Sequence, residues 1–197
     1  MQIDLVAILQ AAQQTVKAPR AVARSLIDQQ FPASFGWMAI ALAVVLSTVL
    51  SVLSGLIAPM EADPGYATLF ASPMSLALMQ ALLLMMSLMF IQGLGRAMGG
   101  RGQLSDALVL LAWLEGILIL IQVVQLVLLL VSPVLAVLLG IASFVVFLRV
   151  LAHFIAELHG FTSAGKVLGM ILLTFLVVSF LMAAMGIGLP AGAASHV

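Results

Sequence analysis

Between Gly36 and Leu189 the chain alternates long apolar runs with short polar gaps, and its charges fall in the gaps. Five runs stand out, 36–58, 74–94, 107–131, 134–154 and 167–189. At about 1.5 Å of rise per residue, runs of roughly 20 residues cross a hydrocarbon core of about 30 Å. A helix satisfies its own backbone, whereas an open sheet leaves unpaired groups in lipid. The pattern therefore predicts an all-α fold, a polytopic membrane helix bundle with five transmembrane helices.

Ahead of these runs lies an amphipathic N-terminal helical segment, residues 1–34. Leu5, Leu9, Ala12 and Val16 recur at helical spacing. After Pro19, the residues Val22, Ala23, Leu26 and Ile27 form an apolar stripe, with Arg20, Arg24 and Asp28 on another face. Proline suits the first turn of a helix, where its missing N–H costs nothing. The stretch lacks the short apolar run and small-residue cleavage site of a signal peptide. Two placements stay open: a helix in the headgroup region with its arginines on anionic lipid, or a helix docked under the bundle or on a partner. The bundle proper is expected over 35–189, followed by a tail, 190–197.

Composition reinforces the membrane reading. The 197 residues are 64% hydrophobic and 7% charged, against about 25% charged in globular proteins. Seven Lys and Arg balance seven Asp and Glu, so bulk charge offers no case for nucleic acid. The absence of cysteine excludes disulfides, thiolate metal sites and cysteine nucleophiles. Lys17, Arg20, Arg24, Arg96, Arg101, Arg149 and Lys166 all fall on one side of a five-span topology. The positive-inside rule then places the N-terminus in the cytoplasm and the C-terminus outside. The opposite side carries Glu61, Asp63 and the interfacial Tyr66 in a turn-rich loop, and the short Ser132–Pro133 link, which makes runs three and four a tight hairpin.

Packing signals are plainer than chemical ones. Ala39, Ala43, Ser47, Ser51 and Gly55 place a small residue at every fourth position of the first run, a ridge on which another helix can approach closely. Methionines crowd the second run as gap fillers. The glycine-dense stretch from Gly93 to Gly102 has neither a preceding strand nor a following Gly-Lys-Ser/Thr, so it reads as a flexible turn with lipid-facing Arg96 and Arg101.

Intramembrane polar groups are the candidate functional residues: Glu115, Gln122, Gln125, Arg149, His153 and Glu157. Gln122 and Gln125 share a helical face. Glu115 and Arg149 come to nearly the same height either side of the hairpin turn, so an ion pair is expected between them, with His153 as the substitute partner. His153 and Glu157 at i, i+4, with His159 beyond, invite a metal site. The spacing lacks the paired histidines of a zinc helix and His159 is expected off the helix, so no metal or cofactor is assigned. No serine lies near a histidine in an interpretable arrangement, and no enzyme is expected.

Three stretches carry a resemblance: Ala18-Pro19-Arg20, the segment Gly95-Arg96-Ala97-Met98-Gly99-Gly100-Arg101-Gly102-Gln103-Leu104-Ser105-Asp106-Ala107-Leu108, and Ala156-Glu157-Leu158-His159-Gly160-Phe161-Thr162-Ser163-Ala164. Together the chain resembles the Ypt-interacting-protein (Yip) family over nearly its whole length. The resemblance implies five spans and a cytoplasmic N-terminus. Eukaryotic relatives act in vesicle traffic and contact small GTPases. This chain has no long polar N-terminal region of the eukaryotic kind, which argues against GTPase binding; the absence of a signal peptide and the alanine- and leucine-rich makeup suit a bacterial inner membrane. The expected function is a non-catalytic scaffold or accessory subunit that contacts membrane lipids and other membrane proteins, or itself as an oligomer. The alternative is a small channel or transporter with a polar face of Glu115, Gln122 and Gln125; pairing of those groups inside the chain separates the two.

Overall fold

A computed structural model describes residues 5–58 and 72–184. Among them are seven helices: α1 (Leu5–Lys17), α2 (Pro19–Asp28), α3 (Ala33–Ile57), α4 (Pro73–Ala97), α5 (Leu104–Val131), α6 (Pro133–His159) and α7 (Ala164–Ala184). Five of them, α3 to α7, are long and apolar enough to cross a membrane. The loop with Glu61, Asp63 and Tyr66, and the tail 190–197, lie outside the described residues.

Local chemistry sets the helix ends. Pro19, Pro73 and Pro133 each occupy the first turn of a helix. Ser72 and Ser75 close a capping box on α4, and the Ser132 hydroxyl accepts from the Leu135 N–H at the start of α6. Two helices stop by the same device. Gly99 and Gly160 both take positive φ, 81° and 74°. Past α4, Gly100 N–H donates to Gly95 O at 2.8 Å and Gly99 N–H to Arg96 O at 2.9 Å. Past α6, Phe161 N–H donates to Ala156 O at 2.7 Å and Gly160 N–H to Glu157 O at 3.2 Å. These are paired Schellman closures, which satisfy carbonyls that a helix end leaves open.

The glycine-dense stretch is accordingly ordered backbone: α4 continues to Ala97, and a defined stop follows. His159 is the last residue of α6 and is buried, contrary to the expectation that it sits off the helix.

In the bundle, α3 packs along α5, α5 pairs with α6 as the short link requires, and α7 lies against α6. Gly36 permits the α3–α5 approach, since a Cβ there would stand 2.7 Å from the Cβ of Leu108. Buried apolar residues concentrate at one end, called here the basal end, where α3, α5 and α7 begin and α4 and α6 finish. Leu108, Phe154, Ile155 and Val167 are its largest fully buried apolar side chains. The pair α1–α2 packs on this end, with α2 along α6 and α5.

Candidate functional site

The basal end gathers the polar chemistry of the chain. Arg20 on α2 donates through Nη2 to the carbonyls of Phe161 and Thr162, each at 2.9 Å, just past the end of α6. One turn on, Arg24 forms an ion pair with Glu157, Nη2 to Oε1 at 2.6 Å, with Nε donating to the same oxygen at 2.7 Å. Arg24 is largely exposed and Glu157 nearly covered, so the pair marks the rim of the interface. On α1, Thr15 is fully buried; its hydroxyl donates to Ala11 O and accepts from the Trp113 indole N–H at 3.0 Å. Arg149 donates to Val16 O at 2.9 Å. The N-terminal helices are thus strapped to α5, α6 and the turn after α6. Of the two placements open from sequence, the arginine geometry is that of docking.

Glu115 and Arg149 do not pair, which corrects the expectation from the hairpin. Helix α1 lies over this end and offers Arg149 the Val16 carbonyl, while Glu115 is buried on α5. The hairpin brings the two groups to one height, and the docked α1 competes for the guanidinium. His153 Nδ1 donates to the Arg149 carbonyl at 2.7 Å, within its own helix.

A second constellation centres on His159. Its ring fits a hollow of three glycines: a Cβ at Gly100 or Gly102 would stand 2.5 or 2.7 Å from ring or Cβ atoms, and one at Gly95 would overlap the ring. Gly102 N–H donates to Nδ1 at 3.0 Å, so Nδ1 carries the lone pair and the proton of the neutral ring sits on Nε2. Nε2 is buried beside the Ile91 carbonyl of α4, and Phe161 stacks on the ring at 5.7 Å. Nearby on α4, Gln92 donates to Gln103 O at 3.2 Å. Sequence reasoning placed His159 among metal candidates and missed this role. Among the described residues no group of three His, Asp or Glu could hold a metal ion.

The remaining candidates scatter. Gln125 donates to Ala136 O across the hairpin at 3.4 Å, in space left by Gly140. Gln122 keeps a buried Oε1 without a partner. Of the ridge, Ala43 and Ser47 are buried and Ala39 is half-buried, but Ser51 and Gly55 are exposed. Arg96 and Arg101 are exposed beside the His159 hollow.

The three stretches that carry the family resemblance therefore converge: Arg20 meets Phe161 and Thr162, and the glycines between Gly95 and Gly102 enclose His159. The Yip1 domain family matches residues 14–185, which spans α2 to α7 and most of this convergence. The chain belongs to the Yip1 family. No curated protein and no solved structure matches it. Yip1 membership accounts for a multi-pass membrane protein, in a family that is in general non-enzymatic, and leaves the partner unnamed.

Proposed function

We propose that this Yip1-family chain is a non-catalytic scaffold or accessory subunit of a bacterial inner membrane, with its N-terminus cytoplasmic and its C-terminus periplasmic. The observation that carries this reading is the strap at the basal end. Arg20, Arg24, Thr15 and Arg149 spend their polar groups on fixing α1–α2 to the bundle. The helix pair then presents a rigid outer surface that includes the exposed Leu9. Partners meet that surface in the cytoplasm, other membrane proteins or a second copy use the open half of the α3 ridge at Ser51 and Gly55, and Arg96 and Arg101 contact lipid headgroups. A small-GTPase partner forms no part of the proposal.

Purification in gentle detergent with mass spectrometry of co-purifying subunits tests this. Wild type retains its subunits, whereas the Arg20→Glu/Arg24→Glu double variant, which removes both arginine contacts of the strap and sets like charge against Glu157, loses them. An unchanged set in the double variant, or no reproducible subunit at all, overturns the scaffold. The channel reading has one observation in its favour, the unpartnered Gln122 oxygen. Against it, Gln125 is already bonded across the hairpin. Solute flux in vesicles that falls with Gln122→Leu would favour the channel.

A further inference from the structure

A cleft of about 390 Å³ opens between the N-terminal helix pair and the bundle. That size falls within the range of roughly 300–1,000 Å³ typical of small-ligand sites. One wall is α1 and α2, with Val22 and Leu26; the other is α3 and α5, with Ala39 and Ala112. Phe31 and Phe35 stack at 4.6 Å to close one side. The indole of Trp113 lines the cleft and is held in place by its bond to Thr15.

We propose that this cleft holds an acyl chain of a bilayer phospholipid. Its level in the bundle identifies the occupant. Phe35 lies in the first turn of α3 and Trp113 in the third turn of α5, both at the basal end of membrane-length helices. A cleft at that height meets lipid at solvent concentration. It is also continuous with a lipid-facing surface, because Met38 and Leu42 follow Phe35 and Ala39 along α3 and are 65% and 59% exposed. The polar groups at the lining are Gln14, Ser25 and Gln29, all uncharged. Such a lining suits the ester level of a lipid and offers a charged headgroup nothing to pair with. The neighbouring arginines Arg20 and Arg24 are turned to α6 and its following turn. The site therefore selects a chain and is indifferent to the headgroup. It stands independently of any protein partner.

Fluorescence of full-length protein provides the test, since the chain has only two tryptophans. Trp37→Phe leaves Trp113 as the sole indole. The protein is reconstituted into plain phosphatidylcholine vesicles, and into vesicles with the same large share of the lipid replaced by either acyl-brominated phosphatidylcholine or acyl-brominated phosphatidylglycerol. Brominated chains quench Trp113 emission by more than half, equally for both headgroups. Filling the cleft from its α5 or its α3 side, by Ala112→Leu or by Ala39→Leu, removes most of that quenching. Two independent filling variants keep the result readable if one of them fails to fold. Quenching unchanged in a folded filling variant means ordinary surrounding lipid and overturns the site. Absence of quenching, with red-shifted emission, means water in the cleft and overturns it as well. Quenching confined to phosphatidylglycerol overturns the chain-selective form of the site.

Discussion

At the basal end, helices α2 to α7 all contribute buried residues, from Ala23 and Leu26 through Ile40, Leu94, Leu108 and Phe154 to Val167. In the opposite half of the hairpin, Val123, Val127 and Leu130 on α5 and Val137, Leu138 and Ile141 on α6 stand exposed. The sequence is apolar in both places, so hydrophobicity does not account for the difference. Lipid tails are as apolar as leucine, and a helix gains nothing by hiding leucine from them. Packing is dense where the backbone turns, helices end and charges must be answered, because lipid cannot supply hydrogen bonds there. In the far half the bilayer does the solvating, and the hairpin link with the Gln125 bond to Ala136 suffices.

The contrast is most exposed to failure on α4. Gly95 touches the His159 ring, while Gly93, two residues earlier, has nothing within 4 Å of a Cβ placed on it. Gly95→Leu forces the ring out of its hollow, at a cost of about 1–3 kcal/mol for overpacking, more if α6 shifts. Gly93→Ala leaves stability unchanged or raises it by up to about 1 kcal/mol, the helix-propensity difference. Thermal melts in detergent of the two variants read this directly. Equal losses would mean that the His159 hollow is not a tight site.

The α3 ridge sharpens the same comparison. Ser47 is 1% exposed, and Ser51, one turn on, is open to lipid. Ser47→Leu lowers the melting temperature by the same overpacking mechanism, about 1–3 kcal/mol. Ser51→Leu leaves the melt of the isolated chain unchanged and acts only on association with another chain, measured by crosslinking in membranes. A Ser51→Leu melt as depressed as that of Ser47→Leu would place a neighbour where the structure has none.

The smallest effect belongs to the ion pairs. Arg24 is 70% exposed in its pair with Glu157, so a double-mutant cycle with Arg24→Gln and Glu157→Gln yields a coupling of about 0.2–1 kcal/mol. The corresponding cycle for Glu115→Gln and Arg149→Gln yields losses that simply add. Coupling in the second cycle and none in the first would reverse the assignment of Arg149 to the Val16 carbonyl.

The five membrane-length helices were legible because their signal is local, a run of apolar residues bounded by charge or proline. Helix α2 was legible for the same reason, from Pro19 and the stripe at Val22 and Leu26. Two placements depended on distant partners and were not. The Glu115–Arg149 pairing considered two helices, and a third, α1, took the guanidinium. The glycine density from Gly95 to Gly102 signals a flexible turn and a close approach alike. Only the ring of His159, delivered by a helix that begins at Pro133, tells the two apart. The usable hint was the order of the glycines, with Gly99 in the left-handed position that ends a helix and Gly95 and Gly100 closing across it.

The strap has a consequence for biosynthesis. Arg20 bonds to Thr162, 142 residues further along the chain, and Arg24 to Glu157. A ribosome adds 142 residues after Arg20 before the Thr162 carbonyl exists, and 133 after Arg24 before Glu157 does. Until then the apolar stripe of α2, with Ala23 and Leu26, has no α6 to cover it. Helices α1 and α2 must wait at the bilayer surface or on a chaperone, and the strap closes only once α6 and its following turn are made. Trypsin cleavage at Arg20 and Arg24 reads that step: susceptible in chains stalled before Thr162, protected in released chains that carry α6 and α7.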